Sequence, residues 1–324
     1  MIYSIQQIRA FAAILVVMTH VVNALPPVPG SPFPVNLDEV NIVFTFAAGF
    51  LFRHLSLREP YRAFMARRVV NVLVPYALIS IPALLIYVVG DKQHGHVDLS
   101  GVPDLLLPVY LLLTGLHLGA LWFVPMIFVI YAATPVIRGI DGAGWRYAVA
   151  IPMSLLLGVT ILTRPEVNAN PPLAAAHYLP VFLIGMCCAR YNTAIGALSQ
   201  RASVWAPALA ILVVLVPVSV AAPDAAQYPL KLVMLLCLFV VASRTAGFRA
   251  PAIDLLAKYS FGIFFLHGYF IATLRIFAAR GDLTLQASVA NVLALTALIC
   301  LACVLVIRGV KLVGGRHSRL LVGA

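Results

Sequence analysis

The first apolar stretch of the chain, residues 1–25, carries two side chains whose types could do chemistry, Arg9 and His20. On a helix, their separation of eleven residues returns to within about 20° of the same face and roughly 16 Å further along the axis. An imidazole, with a pKa of about 6.5, exchanges protons near neutral pH. An ionisable group at membrane depth costs at least ~2.5 kcal/mol and usually faces the protein interior or a water-filled cavity. The pattern predicts a buried functional stripe, against the alternative that Arg9 anchors the helix at the membrane interface and His20 merely ends it.

A second group of candidates lies in the segment YRAFMARRVVNVLVPY, from Tyr61 to Tyr76, which we interpret as a loop. The planar guanidinium forks of Arg67 and Arg68, with Arg62 beside them, can grip a phosphorylated ligand through paired hydrogen bonds. Basic residues beside a membrane span can also do no more than set its orientation or contact anionic lipid. The residues alone leave both readings open.

A third group consists of His117, just before LWFVP and Trp122, together with His267 and Arg275 in a later apolar stretch. A lone histidine in a membrane is often only a hydrogen-bonding group between helices. Three histidines with two arginines instead predict a polar interior, because each would lack a partner in lipid. No acidic residue lies in the middle of an apolar stretch, which argues against a carboxylate-driven ion or proton pump.

The elements that must position these residues are membrane helices. Of 324 residues, 62% are hydrophobic and only 10% charged, with a mean hydropathy of +1.01, outside the range of a soluble domain. The five cysteines lie in apolar runs without metal-ligand spacing to histidine, so no metal site is predicted. The net charge of +11 is spread over short loops, which indicates membrane topology and not nucleic-acid binding.

The hydropathy pattern predicts a single all-α polytopic domain over residues 1–324, with about ten transmembrane helices. The predicted spans are residues 1–25, 40–55, 69–89, 122–138, 147–162, 177–189, 204–221, 228–241, 259–277 and 285–307. The short apolar run 105–116 is expected to be re-entrant or packed on the outer face. Sixteen of the 22 basic residues fall in or beside alternate loops and the tail, which predicts that both termini are cytoplasmic.

Five segments of this chain resemble, in order, motifs of the acyltransferase 3 family of integral membrane acyltransferases, especially members that acylate exopolysaccharides. IQQIRAFAAILVVMTH resembles the family signature in which ten residues separate an arginine from a histidine. The other four segments are FTFAAGFLF, FMARRVVNVLVPY, HLGALWFVPMIFVIYAATP and YSFGIFFLHGYF. The chain departs from the family pattern at Ala48, at Asn71 and in the spacing from His117 to Leu121.

The resemblance implies transfer of an acyl group, commonly acetyl from acetyl-CoA, to a sugar hydroxyl of a cell-surface or exported glycan. His20 would be the catalytic base or a covalent acyl carrier near the outer end, and Arg9 would lie along the path between the two faces. Arg62, Arg67 and Arg68 would hold the CoA phosphates in the cytoplasm. The sequence does not choose between direct transfer and an acyl-histidine relay.

The substrate-binding residues would be His117, Trp122 and His267. The expected partners are acyl-CoA as donor substrate, a carbohydrate acceptor and the lipid bilayer of the inner (cytoplasmic) membrane, which the chain would cross several times. No permanently bound cofactor is expected, and the oligomeric state, including a homo-oligomer, is left open. A lipid or glycan transporter or flippase is the main alternative, and a non-catalytic membrane scaffold is a second.

Overall fold

The computed structural model describes residues 3–28, 39–89, 99, 101–162, 169–280 and 285–323. Regular structure within these ranges is helical throughout, without a strand. The α-helices are α1 (Tyr3–Val22), α2 (Asn41–Leu51), α3 (Tyr61–Arg68), α4 (Val74–Val89), α5 (Leu107–Thr114), α6 (Phe123–Ala132), α7 (Thr134–Asp141), α8 (Trp145–Leu155), α9 (Pro171–Arg190), α10 (Asn192–Leu198), α11 (Ala202–Ala221), α12 (Asp224–Arg244), α13 (Pro251–Ala279), α14 (Val289–Gly314) and α15 (Ser318–Val322). The all-α prediction is confirmed.

Seven helical segments of the described chain are long and apolar enough to cross a membrane: Tyr3–Val22, Tyr61–Val88, Pro171–Arg190, Ala202–Ala221, Asp224–Arg244, Pro251–Ala278 and Val289–Gly314. An eighth results if α6 and α7, which meet at a bend of 63°, count as one span. The other two predicted spans are helical but shorter. They are α2 with the π-helical turn after it, and α8 with its own π-helical continuation. The polytopic membrane architecture is confirmed, while the count of ten spans and the cytoplasmic termini stay predictions.

The interpretation of Tyr61–Tyr76 as a loop is wrong, whereas the overlapping prediction of a span over residues 69–89 agrees with the helix found there. The segment Tyr61–Val88 is continuously helical, because α3 passes into α4 through a π-helical turn, Val69–Leu73. The physical reason is local. Arg, Ala and Met are good helix formers, and no proline or glycine interrupts the run until α4 has begun. The basic side chains of this segment therefore project from a helix.

The described chain forms two compact units. The first unit comprises Met1–Ala48 and Cys188–Arg308. Its centre is α1, which packs along α13 and less extensively on α12, while α11 pairs with α12. Small buried residues on α1, Ala10, Ala12 and Ala13, allow neighbouring helices to approach closely. The first unit thus surrounds α1, the helix with the predicted stripe.

The second unit comprises Gly49–Cys187 and Gly309–Ala324. Its core contains an aromatic cluster, which we define as Phe52, Phe64, Tyr131 and Phe182. Four ring contacts join its members. The centroid distances are 5.2 Å between Phe52 and Phe64, 5.4 Å between Phe64 and Tyr131, 5.7 Å between Phe52 and Phe182, and 6.4 Å between Tyr131 and Phe182. The division into two units does not test the predicted single domain over residues 1–324, which stays a prediction.

Gly49, in the FTFAAGF segment, marks a close approach of α2 to α9 in the second unit. A Cβ atom added at Gly49 would lie 2.0 Å from the carbonyl oxygen of Phe182 and 2.8 Å from its carbonyl carbon. No side chain fits there unless the two backbones separate. The glycine of this segment therefore serves helix packing.

We expect Gly49→Ala to lower the thermal stability of the detergent-purified protein. Forcing an extra carbon into a packed contact typically costs about 1–3 kcal/mol. Gly139→Ala is the matched control, because a Cβ at Gly139 meets nothing within 4 Å. Equal melting temperatures for Gly49→Ala and the wild type would show that α2 and α9 do not approach as closely as described.

Candidate functional site

One polar contact between α1 and α13 joins Arg9 to Ser260. The Nη2 of Arg9 donates a hydrogen bond to Ser260 Oγ at 3.0 Å, and this hydroxyl donates to the carbonyl of Ala257 at 3.0 Å. Ser260 is almost fully buried, and Arg9 is half-buried. Arg9 has no carboxylate partner among the described residues. Its charge is thus left available to an anionic group that enters beside α1.

The second contact between these helices joins His20 to His267. Their ring centroids are 5.2 Å apart, with the rings tilted by 42°. The Nδ1 of His267 lies 3.0 Å from the carbonyl oxygen of Ile263. A carbonyl oxygen only accepts, so Nδ1 carries the proton and Nε2 of the neutral ring keeps its lone pair. That Nε2 is buried and has no hydrogen-bond partner in the part of the chain that the structure describes.

The two contacts align α1 and α13 in the same direction. Ser260 and His267 are seven residues apart, which returns to within about 20° of one face of α13. That face meets the face of α1 that carries Arg9 and His20. We call these four residues the α1–α13 stripe. The structure therefore supplies each predicted residue of α1 with a polar neighbour on α13.

The predicted phosphate grips of the second unit have unequal surroundings. Arg67 forms an ion pair with Glu59 and is 62% exposed. Arg62 is exposed and makes no hydrogen bond or ion pair to the described residues. The guanidinium of Arg68 stands over the ring of Phe64 at 5.0 Å, and its Nη2 lies 3.4 Å from Ser56 Oγ.

Two further arginines lie in the same part of the second unit. The Nη2 of Arg138 donates to the carbonyl oxygen of Ser56 at 3.3 Å, and its guanidinium is 5.9 Å from the centroid of Phe64. Arg53 instead binds a carboxylate, with Nε 2.6 Å from Asp141 Oδ1. Arg138 therefore joins Arg68 at Ser56, whereas Arg53 is neutralised by its own partner.

His117 is held on both sides by protein atoms. Its Nδ1 lies 2.9 Å from the carbonyl oxygen of Leu111, and its Nε2 lies 2.7 Å from Ser80 Oγ. The loop that carries it begins at Gly115, whose φ of +75° suits glycine and whose added Cβ would lie 2.4 Å from Trp122 Cα. Neither ring nitrogen of His117 is free for a ligand in this conformation.

Trp122 is buried, and its ring centroid is 5.7 Å from that of Tyr178. His117 and Trp122 belong to the second unit, whereas His267 belongs to the first. The structure thus brings His267 together with His20, and it gives His117 and Trp122 surroundings typical of a core. The substrate-binding roles of all three stay predictions.

A family model described as an acyltransferase domain matches residues 2–308, nearly the whole chain. The chain belongs to the acyltransferase 3 family. The resemblance drawn from the five segments is thereby confirmed, and the protein is a membrane acyltransferase. No curated protein and no solved structure matches the chain.

Sequence reasoning about this acyltransferase missed two residues, Ser260 and Arg138. Ser260 had a usable signal, since it precedes His267 by seven residues and shares a helix face with it. Arg138 appeared only as the basic end of a predicted span, and nothing local connected it with Arg68. Ser260 contacts Arg9, and Arg138 contacts Ser56, only because helices that are distant in the sequence pack together.

The chemistry available to the acyltransferase differs between its two units. The α1–α13 stripe offers two imidazoles for proton transfer and one guanidinium without a carboxylate partner. The region around Ser56 offers guanidinium groups, which suit phosphate. Among the described residues, no group of three or more His, Cys, Asp or Glu side chains could hold a metal ion.

Proposed function

We propose that this acyltransferase moves an acyl group, most simply acetyl, from cytoplasmic acyl-CoA to a hydroxyl of a cell-surface or exported glycan at the inner membrane. The observation that carries the proposal is the α1–α13 stripe in a chain of this family. Two adjacent imidazoles offer the base that acyl transfer to an alcohol requires, and an arginine without a carboxylate partner offers a positive charge for the anionic donor. A carbohydrate hydroxyl needs a proton acceptor when it attacks a thioester, and the phosphates of CoA need a cation.

In the direct route, a ring nitrogen of His20 takes the proton of the sugar hydroxyl while the oxygen attacks the thioester carbon. The carbon–sulfur bond breaks, and His20 returns the proton to the departing thiolate of CoA. The Nε2 lone pair of His267 orients His20 in this route by accepting a hydrogen bond from its other nitrogen. The present ring contact of 5.2 Å would tighten when substrate binds.

In the relay route, one ring nitrogen of His20 attacks the thioester carbon, the carbon–sulfur bond breaks, and CoA leaves as the thiol with the proton of the other ring nitrogen, so that His20 carries the acyl group. The sugar hydroxyl then attacks the acyl-imidazole, so a second base must take its proton. His267 is suited to this role, because its Nδ1 already donates to the carbonyl of Ile263 and leaves Nε2 as the acceptor. Both routes give the same products, an acylated glycan and CoA.

The donor is proposed to bind through arginines at the face predicted to be cytoplasmic. The predicted grips are Arg62, Arg67 and Arg68, and Arg9, roughly 16 Å along α1 from His20, would bind the anionic donor on the path between the two faces. Support for Arg9 comes from its bond to Ser260, which holds the guanidinium in place. Support for Arg68 comes from its half-buried position over the ring of Phe64.

The experiment that tests the proposal follows acyl label across a membrane. The purified protein is reconstituted in vesicles, acetyl-CoA labelled in the acetyl group is supplied on the side of the arginines, and candidate glycans are supplied on the other. The expected result is label on glycan hydroxyls with release of CoA. Movement of a glycan or lipid without transfer of label would instead identify a transporter.

A further inference from the structure

Two guanidinium groups of the second unit meet at one residue. Arg68 reaches the side-chain oxygen of Ser56 at 3.4 Å, and Arg138 reaches its backbone carbonyl at 3.3 Å. Both also stand against the ring of Phe64, at 5.0 Å and 5.9 Å from its centroid. Ser56 and Phe64 are buried, so the two charges share a partly enclosed wall of the protein.

Neither guanidinium has an acidic partner among the described residues. Arg53 and Arg67, which are nearby in the sequence, bind Asp141 and Glu59 respectively, so carboxylates are present but used elsewhere. The Nε atoms of Arg68 and Arg138 are buried and have no hydrogen-bond partner in the described chain. A buried donor without a partner is costly and rare in folded proteins, and two adjacent like charges repel each other.

A single kind of ligand removes the repulsion. An anion between the guanidinium groups neutralises their charges and accepts hydrogen bonds from their terminal nitrogens. A phosphate group fits this need best, because its oxygens match the planar fork of arginine. The aromatic cluster shields the site from water on one side, which strengthens the attraction.

We propose that Arg68 and Arg138 together bind a phosphate group of a ligand at Ser56. The diphosphate of acyl-CoA is the source if the proposed function holds, and on that point this inference rests on it. A phospholipid headgroup offers the same chemistry. Arg138 then takes the place that the sequence assigned to Arg67, whose guanidinium is held by Glu59.

The test uses the full-length protein purified in detergent, with inorganic pyrophosphate and CoA as probes in separate titrations. Replacing Arg138 with Gln is expected to weaken binding of both probes at least about tenfold, the loss typical of a hydrogen bond to a charged group. Arg68→Gln should do the same. Arg138→Lys keeps the charge but not the fork and should recover part of the affinity.

Arg58→Gln is the matched control. Arg58 is exposed, lies two residues after Ser56, and makes no hydrogen bond or ion pair to the described residues. The Arg58→Gln substitution removes one positive charge, as Arg138→Gln does, but it leaves the proposed site unchanged. The dissociation constants of this variant for both probes should therefore remain within about twofold of those of the wild type. If Arg138→Gln does not fold, as judged by thermal unfolding without ligand, Arg138→Lys provides the comparison.

Two further arms identify the source of the phosphate. If pyrophosphate displaces bound CoA, the phosphate group at this site belongs to the acyl donor. An anionic phospholipid that co-purifies with the wild type but not with Arg138→Gln indicates a lipid headgroup. The proposal is overturned if the wild type and the Arg138 variants bind pyrophosphate and CoA with equal affinity and co-purify with the same phospholipid. Pyrophosphate binding through this pair, without transfer of acetyl label to any glycan, would instead overturn the proposed function and leave the phosphate site standing.

Discussion

His20→Ala should abolish glycan acylation while preserving acyl-CoA binding. The substitution removes the group proposed to accept the hydroxyl proton or to carry the acyl group, and loss of such a base typically lowers the rate at least ~10²-fold. The guanidinium groups proposed to hold the donor phosphates are left intact. The measurement is the rate of label transfer from acetyl-CoA to the glycan, beside a separate titration of acyl-CoA binding.

Two variants sharpen the interpretation of His20→Ala. His20→Asn retains a hydrogen-bonding side chain but no basic nitrogen, so it should be as inactive as the alanine variant. His54→Ala removes an exposed histidine outside the α1–α13 stripe and should acylate at the wild-type rate. A purified His20→Ala protein with the wild-type rate would exclude the catalytic role of His20, whatever the family of the chain.

His267→Asn should lower glycan acylation by about 10²-fold in the relay route, where His267 is the proton acceptor, and by less in the direct route, where it only orients His20. The amide nitrogen of asparagine can replace Nδ1 and donate to the carbonyl of Ile263, but no atom replaces Nε2. The variant therefore removes the lone pair of Nε2 beside the His20 ring and keeps the local hydrogen bond on α13. Binding of acyl-CoA should be unchanged.

The same variant distinguishes the two proposed routes. In the relay route His20 is still acylated, so His267→Asn should accumulate an acyl-enzyme that mass spectrometry of the quenched reaction detects. In the direct route no acyl-enzyme forms at any time. His267→Gln places an amide oxygen near the position of Nε2, where it can accept a hydrogen bond but not a proton, so it should restore part of the rate in the direct route and none in the relay route. Wild-type rates for both variants would reduce His267 to a packing group between helices.

Local sequence features accounted for the fold class and for the stripe on α1. Apolar runs of the required length predict membrane helices, since a helix satisfies its own backbone in lipid. The spacing of Arg9 and His20 needed only helix geometry to put them on one face. The order of five motif-like segments was enough to indicate the family, which the match over residues 2–308 then showed.

Local reasoning was least reliable at the arginines. Arg67 and Arg68 are adjacent in the sequence, and nothing near them separates their roles. Successive residues of a helix point about 100° apart, so one reaches Glu59 and the other reaches Ser56 and Phe64. The interpretation of this segment as a loop concealed that difference.

Only the tertiary structure decided which residues meet across helices. Ser260 and His267 lie more than two hundred residues from Arg9 and His20, and Arg138 is seventy residues from Arg68. Periodicity determines the face of a helix on which a side chain lies, but it does not determine which helix packs against that face. That choice depends on the fit of whole surfaces, such as the small residues of α1 against α13 and α12. The polar side chains then find their partners at positions that this packing has already determined.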